Sequence, residues 1–363
     1  MTQGKLKLKK KNRSFQIGVI LFSLLLLLSA WNSGNNILYL AFAISFAFLI
    51  VGEFFGNFNL GKFRVYVLAP DQVVKGEIGN IWLRLESFRK LFPSLGLNVE
   101  IIIKFQSGEI KKVFVKNVPI VFPLQGVDIS FGYMFGKRGK ALIERVIVYS
   151  YFPFGLVRYQ VDYELDIEIL VTPRYRALNI EVLGNYIGGC RIPVKTLLSE
   201  SGEFYSLREY QPGDDIRYIA WKISARVGVW LVREWAVSMP NQYVIYVDLR
   251  TRGTQDDESF EEMIEFTASI VYSLLGKQFK VGLYVGGGEK VPVNGGNAHF
   301  SLILRILALV SPERRYDIDE DVWKKFLAEG RNSRLLLISI LPELWDEGSL
   351  NGMKVAVPDG IRR

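Results

Sequence analysis

Two long apolar segments, separated by a short polar turn, lie near the start of the chain. They run from Phe15 to Trp31 and from Ile37 to about Phe55, and residues 32–36 between them read Asn-Ser-Gly-Asn-Asn. Each segment is ~17 residues long, near the lower limit for a helix that crosses about 30 Å of hydrocarbon. The pair therefore predicts a transmembrane helical hairpin over residues 15–56.

A cleaved signal peptide is the alternative for the first apolar segment, because the region from Lys5 to Arg13 is basic. A second apolar segment follows at once, and no small-residue cleavage site separates the two, which favours the hairpin. The positive-inside rule keeps the basic tail, residues 1–14, in the cytoplasm. Two crossings then return the chain to that side, so the predicted location is the cell membrane, with two spans and cytoplasmic soluble domains.

Residues 57–173 change to short alternating or β-branched segments separated by turn residues, a pattern that predicts strands. The predicted strands are Phe63–Leu68, Ile78–Leu85, Val99–Phe105, Val113–Val118, Val127–Phe135, Ala141–Ser150 and Leu156–Tyr163. Seven strands in roughly a hundred residues favour an immunoglobulin-like β-sandwich. A barrel is the alternative.

Residues 240–363 alternate apolar strands with amphipathic helices. The predicted strands are 242–247, 281–285, 335–341 and 355–357, and the predicted helices are 260–275, 301–310 and 322–328. An acidic loop at 256–259 precedes the first helix. Such alternation predicts a doubly wound parallel sheet with helices on both faces. The whole chain is thus expected to be multidomain: hairpin, β-sandwich and α/β domain.

Between these domains, residues 174–239 contain a dense mixture of acidic, basic and aromatic residues. Proline and glycine in Gln211-Pro212-Gly213-Asp214 predict a turn, after which Asp214 or Asp215 caps a helix. The predicted helix buries one face, formed by Ile216, Ile219, Ala220 and Ile223. A strand is expected to begin near Val229.

This segment resembles the DUF58 family, whose most recognisable stretch has the same order of charged, aromatic and turn residues. The matching positions are Gly202, Glu203, Phe204, Leu207, Arg208, Glu209, Tyr210, Pro212, Gly213, Asp214, Asp215, Arg217, Ile219, Trp221, Lys222, Ser224, Ala225 and Arg226. Ala220 departs from the pattern, because many members have histidine there. A shorter upstream match comprises Lys137-Arg138-Gly139 and Phe152-Pro153-Phe154-Gly155-Leu156.

The resemblance implies a membrane hairpin, a β-rich domain and a domain similar to the von Willebrand factor A fold. It also implies a partner, since members are often considered to work with MoxR-type AAA+ ATPases. The family's activity is poorly defined, so the resemblance says more about architecture than about chemistry.

Composition and charge agree with a membrane protein. Of the 363 residues, 49% are hydrophobic, and the mean hydropathy of +0.17 is high for a wholly soluble protein. Six of the basic residues behind the net charge of +8 lie between Lys5 and Arg13, where anionic lipid is a simpler partner than nucleic acid. No nucleic-acid partner is expected. The single cysteine, Cys190, cannot form an internal disulfide and fits a reducing compartment.

A metal site at the end of the first α/β strand is a weak candidate. In the von Willebrand A fold this position begins a D-x-S-x-S motif that holds a divalent cation. Here the residues are Asp248-Leu249-Arg250-Thr251-Arg252, with arginine at both serine positions. The two cations are expected to repel Mg²⁺ and to pair with Asp248 instead. Thr251 and Thr254 are the nearby hydroxyls.

Other candidate chemistry is weaker still, so no cofactor and no enzyme activity are expected. Residues 286–288 are three glycines without the Gly-Lys-Ser/Thr ending of a phosphate-binding loop. One histidine, His299, and one cysteine cannot form a zinc set or a Cys-His pair. Lys222 and Ser224 lie two residues apart on a predicted helix and therefore face different directions.

The charged motif has two interpretations, a structural salt-bridge network or a recognition surface for a protein partner. The residues assigned to it are Arg208, Glu209, Tyr210, Pro212, Gly213, Asp214, Asp215, Arg217, Trp221, Lys222, Ser224 and Arg226. Arginine and aromatic residues of this kind are enriched at interface hot spots. Arg233 and Glu234 extend the charged cluster.

Three functions fit these observations. The favoured one is a membrane-anchored scaffold or adaptor that binds an AAA+ ATPase or its client during protein-complex assembly. The second is a membrane-associated hydrolase or transferase that uses Asp214 and Asp215. The third is a cell-surface adhesion protein, which requires the opposite membrane topology. No oligomeric state is predicted, because edge strands and arginine-rich surfaces serve contacts within and between chains alike.

Overall fold

The structure, a computed structural model, describes residues 2–3, 5–11, 14–61, 63–178, 203–236, 241–253, 257–286, 288–313, 320–329, 333–345 and 355–356. The chain divides into two compact units, Met1–Pro173 and Arg174–Arg363. The first unit contains the apolar segments and the β-rich region, and the second contains the charged motif and the α/β region.

The two apolar segments form helices α1 (Ser14–Ser33) and α2 (Asn36–Asn59). Asn35 caps α2, since its side chain accepts a hydrogen bond of 2.9 Å from the Ile37 amide. The helices pack against each other, and the Ser23 and Ser45 hydroxyls share a hydrogen bond between them. Within the described residues, α2 is long and apolar enough to cross a membrane, and the apolar part of α1, Ile17–Ser33, is shorter.

The basic N-terminus forms two strands, which its run of lysines does not predict. Strand β1 (Thr2–Gln3) pairs with β3 (Phe63–Leu68), and β2 (Lys5–Lys11) pairs with β10 (Tyr159–Thr172), both antiparallel. The N-terminus is therefore part of the β-rich region rather than a separate tail. The start of α1 and the end of α2 form the open end of the helical hairpin, and both are joined by short segments to these strands.

Six further strands complete the β-rich region: β4 (Gln72–Val74), β5 (Ile78–Ser87), β6 (Ser94–Phe105), β7 (Ile110–Val121), β8 (Gly126–Met134) and β9 (Gly139–Ser150). One sheet has the order β1-β3-β5-β8 and the other β2-β10-β9-β6-β7, with β4 parallel to β10. Apolar residues of both sheets form one core, so this region has two sheets facing each other. The hydropathy pattern missed β4, and the last strand begins at Tyr159 rather than Leu156.

The α/β region contains β13 (Gln242–Val247), α4 (Asp257–Gly276), β14 (Lys280–Val285), β15 (Lys290–Asn294), α5 (Asn297–Leu309), α6 (Glu320–Glu329), β16 (Arg334–Ile338) and β17 (Val355–Ala356). The sheet order is β15-β14-β13-β16-β17. Helices α4 and α5 pack on one face of this sheet and α6 on the other.

Two expectations for this region need correction. The edge strand β15 is antiparallel to β14, so the sheet is mixed rather than wholly parallel. The acidic segment expected as a loop before Phe260 opens helix α4 from Asp257 onward, because acidic side chains in the first turn favour the positive end of the helix dipole.

The charged motif folds as strand β11 (Glu203–Glu209), a 3₁₀ turn (Ile216–Tyr218), helix α3 (Trp221–Val227) and strand β12 (Leu231–Ala236). The prediction of a single helix from Ile216 onward is therefore wrong. Ile219 forms a β-bridge with Val232, which interrupts the helical hydrogen bonds. As a result, Ile219 and Ala220 are buried, whereas Ile216 and Ile223 are exposed.

Candidate functional site

A small hairpin supports the motif. Strands β11 and β12 pair antiparallel, and the Ala220 amide donates to the Leu231 carbonyl at 2.8 Å, which attaches the start of α3 to β12. Gly228 ends α3 with a left-handed φ of 82°, a conformation that favours glycine. The buried Ser224 hydroxyl accepts a 2.9 Å hydrogen bond from the Leu231 amide. Ser224 therefore has a structural role.

Arg208 and Asp214 form a bidentate ion pair across the turn that follows β11. Nη1 and Nη2 of Arg208 each lie 2.6 Å from one carboxylate oxygen of Asp214, which also accepts a 2.8 Å hydrogen bond from the Gln211 amide. Gly213 has a φ of 110°, which allows the chain to turn back toward Arg208. The Arg208 hydrogen bonds and the Gln211 amide lower the pKa of Asp214 from 3.8 to about 2.

Replacing Arg208 by glutamine is expected to raise the pKa of Asp214 toward its ordinary value. Because the folded-state pKa is depressed, this ion pair stabilises the turn fully above about pH 4 and ceases to do so as the pH falls toward 2. A ¹³C NMR titration of the aspartate carboxyl groups measures the shift. Arg217→Gln is the control, since Arg217 pairs with Asp215 instead, and an unchanged Asp214 midpoint in Arg208→Gln would contradict the assignment.

Asp215 binds groups of the 3₁₀ turn that directly follows it. Its side chain accepts from the Arg217 amide at 3.0 Å and thereby caps the 3₁₀ turn, and its carboxylate lies 2.8 Å from Nη2 of Arg217. These contacts lower the pKa of Asp215, the side-chain bond to Arg217 most strongly. Both aspartates therefore remain ionised and paired with arginine, which suits neither a general acid nor a free metal ligand.

The other cations of the motif lie on the outside of α3. Lys222 and Arg226 are exposed and four residues apart, hence on the same helix face. Trp221 and Trp230 are 56% and 60% exposed, large fractions for indole rings. Within the described residues, neither Lys222 nor Arg226 has a carboxylate within ion-pair distance. We call these four residues, Trp221, Lys222 and Arg226 on α3 and Trp230 in the turn that follows it, the α3 surface.

The remaining motif residues support this surface or lie beside it. The Tyr210 amide donates to the Trp230 carbonyl at 2.8 Å, and the two rings meet edge to face with centroids 5.7 Å apart. Glu209, Pro212 and Arg233 are exposed. Cys190 and Gly202 lie outside the described residues, as does the side chain of Glu234. The structure thus divides the motif into paired charges at the turn and exposed residues on α3.

Asp248 lies at the carboxyl end of β13 and is only 2% exposed. Its Oδ1 accepts from Nε of Arg250 at 2.9 Å, and its Oδ2 accepts from Nη2 of the same arginine at 2.9 Å. Ser339 and the Trp345 indole donate to Oδ2 at 2.8 and 3.0 Å. The Arg250 guanidinium lies 4.7 Å from the centre of the Trp345 ring, a cation–π contact.

The residues around Asp248 do not fit a magnesium ion. Mg²⁺ needs oxygen ligands with free lone pairs in octahedral geometry, whereas Arg250 occupies both carboxylate oxygens of Asp248. Arg252 does not share this role, because it pairs with Glu343. Thr251 is buried, and Thr254 lies outside the described residues. In the part of the chain that the structure describes, three or more His, Cys, Asp or Glu side chains nowhere converge in a metal-binding group.

Ser339 and Trp345 are site residues that sequence reasoning did not identify. They follow strand β16, which lies next to β13, so the sheet brings the two strand ends together. A hydroxyl at the carboxyl end of an adjacent parallel strand is the available signal, but serine is too common for that signal to be specific. His299 is buried, and its Nε2 lies 2.7 Å from the Val281 carbonyl, in the core between α5 and the sheet.

The family match covers most of the β11–β12 hairpin and strands β13 to β16 of the α/β region. The model of the family described as "Protein of unknown function DUF58" matches residues 206–341, from β11 to the start of the segment that contributes Trp345. The DUF58 resemblance is confirmed. The Bacillus subtilis protein described as "Uncharacterized protein YeaD" is 29% identical over 214 residues, which cover 55% of this chain and 52% of that protein. The chain thus spans about half the length of this curated relative.

Two solved structures show distant similarity to this chain. The C-terminal domain of Wzt has a TM-score of 0.25 at 11% identity, covering 30% of this chain and 70% of that one. The Pseudomonas fluorescens DNA glycosylase AlkC has a TM-score of 0.24 at 16% identity, covering 33% of each chain. At these values the similarities assign neither a fold family nor a function to this chain.

Proposed function

We propose that this protein is a membrane-anchored cytoplasmic scaffold or adaptor, whose α3 surface binds a protein partner with an acidic face. The observation that carries this proposal is the exposure of two tryptophans and two cations on and beside α3, next to a turn whose two aspartates are each paired with arginine. Tryptophan and arginine are the residues most enriched at binding hot spots. Exposed aromatic side chains together with unpaired cations suit a protein surface that supplies carboxylates.

A rigid support makes this surface suitable for recognition. The Arg208–Asp214 pair fixes the turn before α3, and Ser224 with Gly228 fixes its end. Side chains presented by a pre-ordered element lose less entropy on binding than those of a loose loop. The paired charges and the exposed residues therefore have complementary roles in the proposed adaptor.

The proposed partner is an AAA+ ATPase of the MoxR type or its client, as the DUF58 resemblance implies. The proposed membrane attachment uses α1 and α2, with the N-terminal strands and the two-sheet region on the cytoplasmic side. The two-sheet region is proposed to be immunoglobulin-like and the α/β region von Willebrand A-like. In that comparison, Arg250 takes the place of the metal, so partner binding is proposed to be independent of a bound cation.

Hydrolase or transferase chemistry at Asp214 and Asp215 has no support from the geometry, because each carboxylate is held by an arginine. The adhesion hypothesis requires the soluble region to lie outside the cell, and protease protection in sealed vesicles tests that alternative.

Charge reversal at Arg226 is expected to remove partner binding with little effect on folding. Tagged full-length protein is captured from gently solubilised native membranes, with and without Mg²⁺ and ATP, and bound proteins are identified by mass spectrometry. We expect stoichiometric recovery of an AAA+ ATPase with the wild type. With Arg226→Glu we expect at least a tenfold loss of affinity for the ATPase, which corresponds to about 1.4 kcal/mol of binding free energy.

Arg305→Glu is the matched control, because Arg305 is also exposed on a helix of the same unit. Arg305→Glu should retain the partner, and both variants should have the melting temperature of the wild type. Equal capture by Arg226→Glu and wild type, or capture of no partner under any condition, would overturn the adaptor proposal. A large loss of thermal stability in Arg226→Glu would assign Arg226 a structural role instead.

A further inference from the structure

In the loop between β9 and β10, residues 151–157 are aromatic, apolar or glycine, in the order Tyr-Phe-Pro-Phe-Gly-Leu-Val, and Arg158, which pairs with Glu100, ends the loop. Phe154 of this loop lies against helix α2, and Val157 packs against the core of the two sheets. The Phe154 ring stacks on the Phe48 ring with centroids 3.9 Å apart. Phe154 and Leu156 are nonetheless 41% and 50% exposed. An apolar surface of this kind needs a covering partner.

The position of the loop along α2 gives its depth. Phe48 precedes the end of the helix, Asn59, by eleven residues, which at 1.5 Å per residue is roughly 16 Å. Glu53 is the single charged residue of α2, and a bilayer around the helix is expected to leave this carboxylate at its polar edge, because a charge in the hydrocarbon is costly. Phe48 lies five residues, roughly 7 Å, to the apolar side of Glu53. The loop therefore reaches the level of the apolar part of the helix.

The end of α2 is fixed firmly to the two-sheet region, so this depth does not depend on a flexible linker. Asn59 accepts from the Leu95 amide at 2.8 Å and donates to the Leu95 carbonyl at 2.7 Å and to the Ser150 hydroxyl at 3.0 Å. The Tyr159 hydroxyl donates to the Gly52 carbonyl at 2.8 Å. A bilayer that surrounds α2 must meet the loop as well.

Two further loops form a shallower layer around the same end of α2. The Leu124 amide donates to the Arg89 carbonyl at 3.1 Å, which joins the two loops, and Leu91 and Leu124 are 82% and 67% exposed. The Arg89 guanidinium lies 4.4 Å from the centre of the Phe58 ring, one residue from the helix end. With exposed Lys90 beside it, this layer combines apolar side chains and cations, as lipid headgroups favour.

We propose that the loop of residues 151–157 inserts into the acyl region of the bilayer beside α2, while the loops that contain Leu91 and Leu124 lie among the lipid headgroups. The bilayer is the occupant because the exposed apolar surface of the loop is continuous, through Phe48, with the apolar surface of α2. The insertion fixes the height and tilt of the two-sheet region on the membrane. This inference rests on the membrane attachment proposed above.

Spin-label depth measurement on the full-length protein tests this proposal. A nitroxide is placed at Leu156→Cys, Leu91→Cys or Ser107→Cys in a Cys190→Ser background, and the protein is reconstituted in nanodiscs of phosphatidylcholine and phosphatidylglycerol. Ser107 is the control, because it follows the far end of β6, whose twelve residues span about 40 Å. Collision with apolar O₂ is compared with collision with a water-soluble nickel chelate.

We expect the ratio of O₂ to nickel collisions to be highest at position 156, intermediate at 91 and lowest at 107, with at least a fivefold difference between 156 and 107. A label at 156 that meets nickel as readily as the label at 107 would overturn the insertion. A label at 156 that meets neither reagent would also overturn it, since protein then covers the loop. If the 156 variant fails to fold, position 91 still tests the proposal. An O₂-to-nickel collision ratio at position 91 as low as that at 107 would contradict the headgroup layer.

Flotation with liposomes separates this inference from the attachment on which it rests. Protein that fails to float contradicts the membrane anchor and the insertion together. Protein that floats but exposes position 156 to nickel retains the anchor and excludes the inserted loop.

Discussion

Arg250→Ala is expected to destabilise the α/β region by about 3–5 kcal/mol, because it leaves the Asp248 carboxylate buried without its cation. Asp248 and Arg250 are 2% and 6% exposed, so water cannot replace the lost partner without opening the site. Ser339, Trp345 and the backbone amide of residue 250 remain as donors, but three neutral hydrogen bonds do not balance a buried negative charge. The cation–π contact with Trp345 is lost as well.

Urea denaturation of the full-length protein in mild detergent, followed by tryptophan fluorescence, measures this loss. Arg252→Ala is the matched control, because Arg252 is two residues away and pairs with Glu343 on the surface, where both side chains are more than half exposed. Surface pairs of this kind contribute at most about 1 kcal/mol. Comparable losses in the two variants would show that Arg250 is not the essential counter-ion of Asp248.

The Asp248–Arg250 pair explains why the sequence of residues 248–252 was informative about metal binding at Asp248. Arginine at both serine positions predicts repulsion of a metal ion, and the sequence does not reveal which arginine pairs with Asp248. The structure assigns the pair to Arg250, whose guanidinium reaches both carboxylate oxygens. Ser339 and Trp345 were beyond prediction, since they lie about 90 residues later and reach Asp248 only because β16 lies next to β13.

Hydrophobic periodicity predicted the elements whose packing is simple. Strand β5 alternates buried and exposed residues as its sequence does, and α2 is apolar throughout. The same rules failed where a tertiary contact competes with local preference. Ile216 and Ile223 have helical spacing with Ile219, yet the bridge between Ile219 and Val232 divides the segment. Basic residues 5–11 form a strand because β10 offers a free edge, which local sequence does not show.

The motif was predicted as a set of residues but not as two functional groups. Charge density alone cannot distinguish Arg208, whose guanidinium is held by Asp214, from Arg226, which points outward. The distinction depends on the turn at Gly213, which brings residue 214 back to residue 208. The proposed recognition by the α3 surface therefore depends on a fold that the motif itself builds.

Gly56→Ala is expected to destabilise the attachment of α2 to the two-sheet region by about 2–3 kcal/mol, through overpacking. A Cβ atom at position 56 would lie 2.2 Å from the Tyr159 ring, far inside van der Waals contact. Tyr159 cannot move aside easily, because it is 3% exposed and its hydroxyl is bound to the Gly52 carbonyl. The helix must therefore shift away from β10.

Gly18→Ala is the matched control, since Gly18 lies in the interior of α1 and its Cβ would meet nothing within 4 Å. Alanine favours the helical conformation over glycine by roughly 1 kcal/mol, so this variant should be as stable as the wild type or more stable. Thermal melting of the full-length protein in one detergent compares the two. If Gly56→Ala melts at the wild-type temperature, the close contact between α2 and Tyr159 is not what holds the helix to the sheet; if it melts lower while Gly18→Ala does not, this contact helps to hold α2 against β10.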